Sequence, residues 1–309
     1  MVKNVPLLNM GYNRHAVTKS RDDIENRKEM GLMEQECDRL RGLLGLSHEP
    51  GTPCGHQVPR LAGSVPKTVL MAVSFKDAGV LILLDGTPDN YKVFLCIRSE
   101  QLRRHPGEVC FPGGMRDDEE NLQETAIREA EEEVGLLRDD FILLGSLPSF
   151  RARFGVLIHP TVALLRRPFF PRLNVHEVQD VFWMPLERFL DDSVHMSFVI
   201  DSKYAIHSFS AIVLVDVEDR CCDSKFIENR ASTFHCLPNP VMVKFEEAHT
   251  FGVTALMCVI TAIGVLQRIP PFELSPMLPV SRLARMKPSE VISQVCEYAG
   301  QPFATLSKL

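Results

Sequence analysis

A dense run of acidic residues behind two adjacent glycines constrains this 309-residue chain more than any other feature. Its second half contains Glu129, Glu132 and Glu133 and ends at Gly135. At about 100° per residue, these three glutamates fall within an arc of roughly 100° on a helix. Small and branched apolar residues gather on a neighbouring face, which can pack against a sheet. The segment therefore predicts a half-buried helix that ends at a C-cap glycine.

Three carboxylates on one helical face repel one another, and like charges at this spacing weaken a helix by roughly 0.2–0.5 kcal/mol per pair. A divalent cation removes that cost, because hard cations prefer clustered carboxylate oxygens. Arg128 lies beside Glu132 and can orient the carboxylates through forked hydrogen bonds. Glu131 has the same chemistry but the wrong angle, so we expect it to face solvent. The helix face is therefore a candidate metal site, with a solvated acidic face as the alternative.

The adjacent glycines, Gly113 and Gly114, form a turn whose backbone can approach a ligand or a metal closely. Three arginines and a histidine precede this turn, namely Arg98, Arg103, Arg104 and His105. Arginine binds phosphate oxygens bidentately, so a cationic cluster beside a carboxylate–metal site suits a multiply phosphorylated substrate. A solvated basic turn is the alternative interpretation.

The acidic segment resembles the Nudix box, in which glycines, glutamates and an arginine recur at fixed spacing. The fixed positions are occupied by Gly114, Glu120, Arg128, Glu129, Glu132, Glu133, Gly135 and Leu136, with Ala130 in an apolar position. The resemblance implies an α/β (α+β) fold, a Nudix α/β/α sandwich with a mixed sheet. It also implies hydrolysis of a nucleoside diphosphate linked to another group, with Mg2+ or Mn2+ as the essential cation.

The metal ligands of the family transfer onto matching positions of this chain. By resemblance, Glu132 and Glu133 are the principal ligands, and Glu129 is a further ligand or the base that activates water. The carbonyl group of Gly114 is expected to contribute another contact to the metal.

The resemblance also indicates which residues act in catalysis. The expected catalytic residues are Glu129, Glu133 and Arg128. Glu120 is expected to be a supporting outer carboxylate. Glu177 is a candidate for an additional carboxylate supplied by a distant loop, as some Nudix enzymes require.

The stretch before the glycines resembles the signature of the coenzyme A diphosphatase branch of this family. Its fixed positions are filled by Arg98, Ser99, Arg103, Gly107 and Phe111–Gly114, whereas Phe94 and Cys96 depart from it. The branch cleaves the diphosphate of coenzyme A or its thioesters to 3′,5′-ADP and (acyl-)4′-phosphopantetheine, which is what the resemblance implies here. The expected substrate-binding residues are Arg98, Ser99, Arg103, Arg104, His105 and Gly107.

The rest of the sequence predicts an N-terminal helical extension over residues 1–65, a catalytic domain over 66–270 and a tail over 271–309. The extension contains a helix with Met33, Cys37, Leu40 and Leu44 on one face. Short apolar runs predict strands at Val69–Phe75, Gly79–Leu84, Lys92–Ile97, Ile142–Leu144, Val156–Leu165, Val181–Met184 and Ala211–Val217. The uncharged run Phe251–Leu266 falls short of the roughly 20 apolar residues that span a bilayer, so we expect a buried core helix.

Composition and the final residues bear on partners and location. A net charge of −6 without a basic run does not favour nucleic acid as a partner. The nine cysteines are scattered and form no CxxC pair, which is typical of reduced thiols in an intracellular protein. The last three residues, Ser307-Lys308-Leu309, match the tripeptide that the peroxisomal import receptor reads, so we expect that receptor as a partner and the peroxisome as the location.

Two alternative functions stay open from the residues alone. One is a Nudix diphosphatase that acts on NADH or ADP-ribose. Peroxisomal NADH diphosphatases typically carry a four-cysteine zinc module, and no cysteine pair here has that spacing. The other is a non-catalytic nucleotide-sensing protein of the Nudix fold. Such sensors usually lose carboxylates of the box, and this box is intact.

Overall fold

The computed structural model describes residues 30–46, 76–117, 119–152, 155–200, 202–216 and 243–299. The chain divides into two compact units, Met1–Arg39 and Leu40–Leu309. The predicted strand Val69–Phe75 and the tripeptide Ser307-Lys308-Leu309 lie outside the described residues.

Helix α1 (residues 30–44) contains the predicted apolar face of the extension. Its residues Cys37, Leu40 and Leu44 are buried. On a more exposed side of the helix, Arg39 pairs with Glu36 one turn earlier, at 2.6 Å. The structure therefore confirms the predicted N-terminal helix and its apolar spacing.

A mixed sheet of eight strands forms the body of the larger unit. Its strands are β1 (Lys76–Asp85), β2 (Lys92–Arg98), β3 (Val109–Cys110), β4 (Gly113–Met115), β5 (Phe141–Ser146), β6 (Phe150–Arg151), β7 (Val156–Leu165) and β8 (Val178–Pro185). The order is β3-β2-β1-β7-β5, with β4 paired to β1, β6 to β7 and β8 to β2. β1 and β7 run parallel, with Gly79 opposite His159. The other strand pairs of this sheet are antiparallel, so the predicted mixed sheet is confirmed.

Helix α2 (Leu122–Val134) packs on this sheet through Ala126 and Ala130, which are fully buried. The close contact between helix and sheet depends on Gly79 of β1. A Cβ atom at that position would lie 2.5 Å from the carbonyl oxygen of Leu122 and 3.0 Å from the backbone nitrogen of Ala126. The missing side chain therefore lets the acidic helix lie directly on β1.

A second, antiparallel sheet has the order β11-β10-β9. Its strands are β9 (His195–Val199), β10 (Ala205–Asp216) and β11 (Val243–Phe251). The predicted strand Ala211–Val217 falls in the second half of β10. The sequence did not predict β9 and β11, because β11 contains Glu246, Glu247 and His249 and has no continuous apolar run.

Helix α3 (Gly252–Leu266) is buried along most of its length, as predicted for the uncharged run. It packs against the 3-10 turn Leu186–Leu190, strands β10 and β11, and helix α5 (Pro288–Ala299). The short helix α4 (Val280–Leu283) precedes α5, and further 3-10 turns lie at Arg138–Asp140 and Asp192–Val194. Among the described residues, none of the helices is both long enough and apolar enough to span a membrane.

Candidate active site

Helix α2 begins and ends where its local sequence directs it. The side chain of Asn121 accepts hydrogen bonds from the backbone nitrogens of Gln123 and Glu124, and Glu124 bonds back to Asn121, which completes a capping box. At the other end Gly135 has a left-handed conformation, with φ of 72°. Its N–H donates to the carbonyl group of Glu131 at 2.9 Å. These caps fix the helix register and hence the direction in which each glutamate points.

The helix register places the four glutamates in the second half of α2 in different surroundings. Glu133 is buried, with 4% of its surface exposed. Glu129 is half-buried, whereas Glu131 and Glu132 are exposed. Glu131 is exposed as predicted, and Glu129 and Glu133 lie closest to the sheet, but Glu132 is exposed although the helical period grouped it with them.

Three carboxylates converge at this site: those of Glu129, Glu133 and Glu177. One oxygen atom from each lies within 4.8 Å of the other two. Glu177 comes from the loop before β8, and that loop is bound to both neighbouring elements. The N–H of Asn174 donates to the carbonyl oxygen of Glu133 at 2.9 Å, and the N–H of Ser99 donates to that of Glu177, also at 2.9 Å.

An irregularity between β2 and β8 brings Glu177 to this position. Ile97 pairs with Asp180, but the next residue, Arg98, pairs with Val178, so the register shifts by one residue. A bulge of this kind redirects the chain and is common beside active sites. Here it lies at Arg98 and Val178, and Val178 directly follows Glu177.

The two glycines lie in strand β4 rather than in the predicted turn, and they contact the carboxylates. The N–H of Gly113 donates to Oε2 of Glu133 at 3.0 Å. Gly113 has φ of 155°, within the range that side chains rarely adopt. At Gly114, a Cβ atom would overlap the carboxyl group of Glu129. A side chain at Gly114 would therefore require the Glu129 carboxyl group to move, whereas one at Gly113 would meet the backbone of β1.

Arg128 holds the outer carboxylates in a fan of hydrogen bonds. Its Nε donates to Glu120 at 2.6 Å. Its Nη1 donates to Glu129 at 3.0 Å and to Glu132 at 3.1 Å. Its Nη2 donates to the second oxygen of Glu120 at 3.1 Å. The forked geometry that the sequence suggested is present, and it orients three glutamates at once.

The environment shifts the acidity of these groups in different directions. Burial raises the pKa of Glu133 to about 8, against the opposing effects of the Gly113 N–H and of Arg98. Burial also raises the pKa of Glu129, which Arg128 opposes. The hydrogen bond from Arg128 lowers the pKa of Glu120. Glu129 and Glu133 are therefore costly to ionise without a cation, whereas Glu120 is held ionised.

The loop after β2 is compact and returns to the strand it leaves. The N–H of Gly107 donates to the carbonyl oxygen of Arg98 at 3.1 Å, and the N–H of Arg98 donates to that of Glu108 at 3.0 Å. Gly107 has φ of 69°, and a Cβ atom there would lie 2.5 Å from Oε1 of Glu100. Ser99 is buried beneath this loop. The loop therefore has the tight turn that its glycine predicts.

The basic residue at the end of β2 and the three in the following loop have different surroundings. Arg98 is half-buried, and its Nε atom has no hydrogen-bond partner among the described residues. Arg103 and Arg104 are exposed, and so is His105, whose Nδ1 lies 2.8 Å from Oε2 of Glu108. Arg98 thus lies close enough to Glu133 for its charge to act on that carboxyl group, whereas the other three basic residues are at the surface.

The ligand set suggested by the sequence and the converging carboxylates overlap but differ. Glu129, Glu133 and Gly114 meet at one place, whereas Glu132 lies outside the cluster of three and accepts from Arg128. Glu177 joins the cluster, although its place in the sequence gives no spacing that ties it to α2. Three carboxylates within bonding distance of one point are the donor set that a hard divalent cation requires. The described residues at this site therefore fit such a cation.

Comparison with known proteins agrees with this geometry. Residues 75–201 match the NUDIX domain. A peroxisomal coenzyme A diphosphatase of Caenorhabditis elegans is 47% identical over 287 residues, covering 91% of this chain and 100% of that protein. A peroxisomal coenzyme A diphosphatase of Mus musculus is 34% identical over 155 residues, 46% of this chain and 66% of that protein. A chloroplastic Nudix hydrolase of Arabidopsis thaliana is 30% identical over 237 residues, 72% of this chain and 68% of that protein.

A carboxylate helix that lies on a mixed sheet, against the glycines of β4, is the kind of site that a hydrolase uses to hold a divalent cation. With these sequence matches, the chain belongs to the Nudix hydrolase family. The α/β (α+β) fold class predicted from the sequence is confirmed.

Proposed function

We propose that this chain hydrolyses the diphosphate bond of coenzyme A and its thioesters. The products would be 3′,5′-ADP and (acyl-)4′-phosphopantetheine. The observation that carries the proposal is the 47% identity to a protein named as a coenzyme A diphosphatase, over the whole length of that protein. The complete carboxylate site supports hydrolysis rather than nucleotide sensing alone.

The cation would be Mg2+ or Mn2+, held by Glu129, Glu133 and Glu177, with Glu132 and the Gly114 carbonyl group as further candidates from the family pattern. When bound, such a cation neutralises phosphate oxygens and lowers the pKa of coordinated water. The chain itself contributes geometry. The Gly113 N–H fixes one carboxylate oxygen of Glu133, and Arg128 fixes the orientation of Glu129.

Glu129 has two proposed roles, ligand or base, which one pair of measurements separates. If Glu129 binds the cation, Glu129→Gln weakens Mn2+ binding and turnover together. If it accepts the proton of the attacking water, the variant binds Mn2+ with unchanged affinity and loses turnover. Glu131→Gln is the matched control, because Glu131 lies on the same helix and is exposed.

The proposed substrate contacts are those of the loop after β2: Arg98, Ser99, Arg103, Arg104, His105 and Gly107. The exposed pair Arg103 and Arg104 would recognise the 3′-phosphate that distinguishes coenzyme A from other ADP derivatives. Arg103→Ala and Arg104→Ala should therefore reduce the preference for coenzyme A over ADP-ribose. Arg285→Ala, at an exposed arginine after α4, is the control. An unchanged preference in both variants would remove this assignment.

One hydrolysis panel tests the proposed activity. The protein is incubated with Mg2+ or Mn2+ and with coenzyme A, acetyl-coenzyme A, NADH or ADP-ribose, and the products are identified by mass spectrometry. We expect 3′,5′-ADP from the two coenzyme A compounds and none of this activity in Glu133→Gln. Faster cleavage of NADH or ADP-ribose would replace the proposed substrate, and no cleavage of any compound would favour a sensor.

The proposed location is the peroxisome, because two relatives are named as peroxisomal proteins. Ser307-Lys308-Leu309 is the sequence feature through which the import receptor would bind. A fluorescent protein fused ahead of the full chain should appear in peroxisomes, and deletion of these three residues should leave it outside. Unchanged location after the deletion would contradict the role of the tripeptide.

A further inference from the structure

A chain of polar side chains runs across β7 and β1, beside the glycine strand β4. Oγ of Ser149 lies 2.9 Å from Nδ1 of His159. Nε2 of the same histidine lies 3.0 Å from Oδ1 of Asp77. The other oxygen of Asp77 pairs with Nη2 of Arg116 at 3.2 Å. Two hydrogen bonds and one ion pair thus connect four residues from separate parts of the sequence.

Exposure rises steadily along this chain. Ser149 and His159 are buried, with 7% and 9% of their surfaces exposed. The side chain of Asp77 is 25% exposed, and that of Arg116 is 43% exposed. A buried polar chain is costly unless its groups are satisfied. In this chain the buried groups have partners, and the exposed end is the guanidinium group of Arg116.

The pairing of β1 with β4 places Arg116 close to Gly114, whose neighbour in α2 is Glu129. Gly79 pairs with Gly114, and the N–H of Arg116 donates to the carbonyl oxygen of Asp77 at 3.0 Å. Alternate residues of a strand share a face. Asp77 and Gly79 therefore lie on the same face of β1, which is the face that α2 covers. Arg116 leaves β4 on the side of the carboxylates, two residues after Gly114.

We propose that Arg116 binds the diphosphate of the substrate and that Ser149, His159 and Asp77 are positioning residues that hold its guanidinium group. This inference rests on the proposed function, since it assigns a phosphate contact to the same site. A guanidinium group has five N–H donors. Asp77 pairs with Nη2 alone, and the Arg116 side chain is 43% exposed, so further donors are available to a ligand. Arg116 thus stands beside β4, whereas the basic loop Arg98–His105 follows β2.

The same chain resembles a serine–histidine–aspartate hydrolase site, but its details favour positioning. Ser149 is buried, whereas a nucleophile has to reach its substrate. The aspartate is also engaged by Arg116 rather than reserved for the histidine. A fluorophosphonate probe separates the two interpretations. We expect no labelling of Ser149, and labelling that depends on His159 would overturn the positioning role.

The main test compares Arg116→Ala with Arg188→Ala. Arg188 pairs with Asp191 at 3.2 Å and is 41% exposed, so it matches Arg116 in pairing distance and exposure. A lost charge-assisted contact to phosphate should raise KM in Arg116→Ala by roughly 10- to 100-fold, with kcat nearly unchanged. Arg116→Lys should recover part of the loss, and Arg188→Ala should behave as the unmodified protein. An unchanged KM in Arg116→Ala, or a loss confined to kcat, would overturn the proposal.

Substrate choice identifies the phosphate that is bound. Coenzyme A and dephospho-coenzyme A share the diphosphate, so Arg116→Ala should weaken both to the same extent. A loss confined to coenzyme A would assign the contact to the 3′-phosphate and overturn the diphosphate assignment. If the hydrolysis panel identifies another diphosphate substrate, KM is measured with that compound, so failure of the proposed function does not mimic failure of this inference.

The positioning role is tested at the buried histidine. His159→Gln keeps an N–H donor that can reach Asp77, whereas His159→Leu removes it. We expect His159→Leu to raise KM in the manner of Arg116→Ala, and His159→Gln to restore most of the affinity. The effect should vanish when Arg116→Ala is already present. An equal loss of kcat in both histidine variants would indicate a general structural defect and contradict the specific role.

Discussion

Replacing Glu133 with glutamine should stabilise the metal-free protein while abolishing its response to divalent cations. Burial raises the pKa of the Glu133 carboxyl group from 4.5 to about 8 in the folded chain. The folded protein therefore binds a proton more tightly than the unfolded chain between these two pH values. Its free energy of unfolding falls as pH rises from about 4.5 to about 8, and the full penalty is present above that window.

The size of the effect follows from the same values. Each pH unit inside the window corresponds to about 1.4 kcal/mol. At pH 7 the Glu133 carboxyl group therefore costs roughly 3 kcal/mol relative to the unfolded chain. Glutamine keeps an acceptor for the Gly113 N–H, which donates to the native carboxylate at 3.0 Å. We expect Glu133→Gln to gain about 1–3 kcal/mol at pH 7 and less than about 1 kcal/mol at pH 5.

Urea unfolding between pH 5 and pH 8 in the presence of a chelator measures this difference. The comparison of two proteins that differ at one residue cancels the contributions of other titrating groups, and Glu131→Gln controls for the loss of a helical charge. Added Mg2+ at a hundred times its dissociation constant should stabilise the unmodified protein by about 2.7 kcal/mol. It should have no such effect on Glu133→Gln. If both proteins show the same pH dependence without metal, the buried carboxylate does not carry the expected cost.

Three further predictions concern the site and the second sheet. Gly114→Ala should lower kcat roughly 100-fold, since a misplaced reacting group costs about that factor and the new Cβ atom would overlap Glu129. Gly42→Ala, at a glycine with open space around it, should leave kcat unchanged, and equal effects in both variants would refute the reasoning. Glu177→Gln should raise the dissociation constant for Mn2+ roughly tenfold or more, measured by calorimetry, whereas the exposed control Glu187→Gln should not. Burial lowers the pKa of His195 to about 4, so the free energy of unfolding should fall as pH drops from 6.5 towards 4. That fall should be smaller in His195→Gln than in the exposed control His105→Gln, and equal falls would show that His195 does not cause it.

The part of the site that lies in one continuous segment could largely be predicted from the sequence. The helical period placed Glu129 and Glu133 correctly on the sheet side but grouped the exposed Glu132 with them. Gly135 ends the helix where a C-cap is expected. The helix and its C-cap depend on residues within a few positions of one another, for which spacing is a useful guide. The sequence predicted a turn at Gly113 and Gly114, whereas these residues form strand β4, because they pair with β1, a distant segment of the chain.

The parts of the fold and the site that local spacing could not place depend on pairing between distant strands. Glu177 reaches the carboxylates through a register shift between β2 and β8, which no local pattern records. Asp77 and His159 meet although they are 82 positions apart, because β1 and β7 are parallel neighbours. Strand β11 was missed for a related reason. Glu246 and Glu247 interrupt its apolar residues, and its pairing with β10 is not visible in the local sequence.

Helix α3 has a consequence for the order in which the protein is assembled. The turn Leu186–Leu190 and β10 precede it in the chain, whereas α5 follows it, and all three cover its surface. The sheet that carries the carboxylates is complete by Pro185 and can form early during synthesis. An uncharged segment of 15 residues must then wait for α5 to leave the ribosome. During that interval the nascent chain exposes the apolar surface of α3 to chaperones. A chain truncated before α5 would therefore aggregate although the sheet with the carboxylates had already formed.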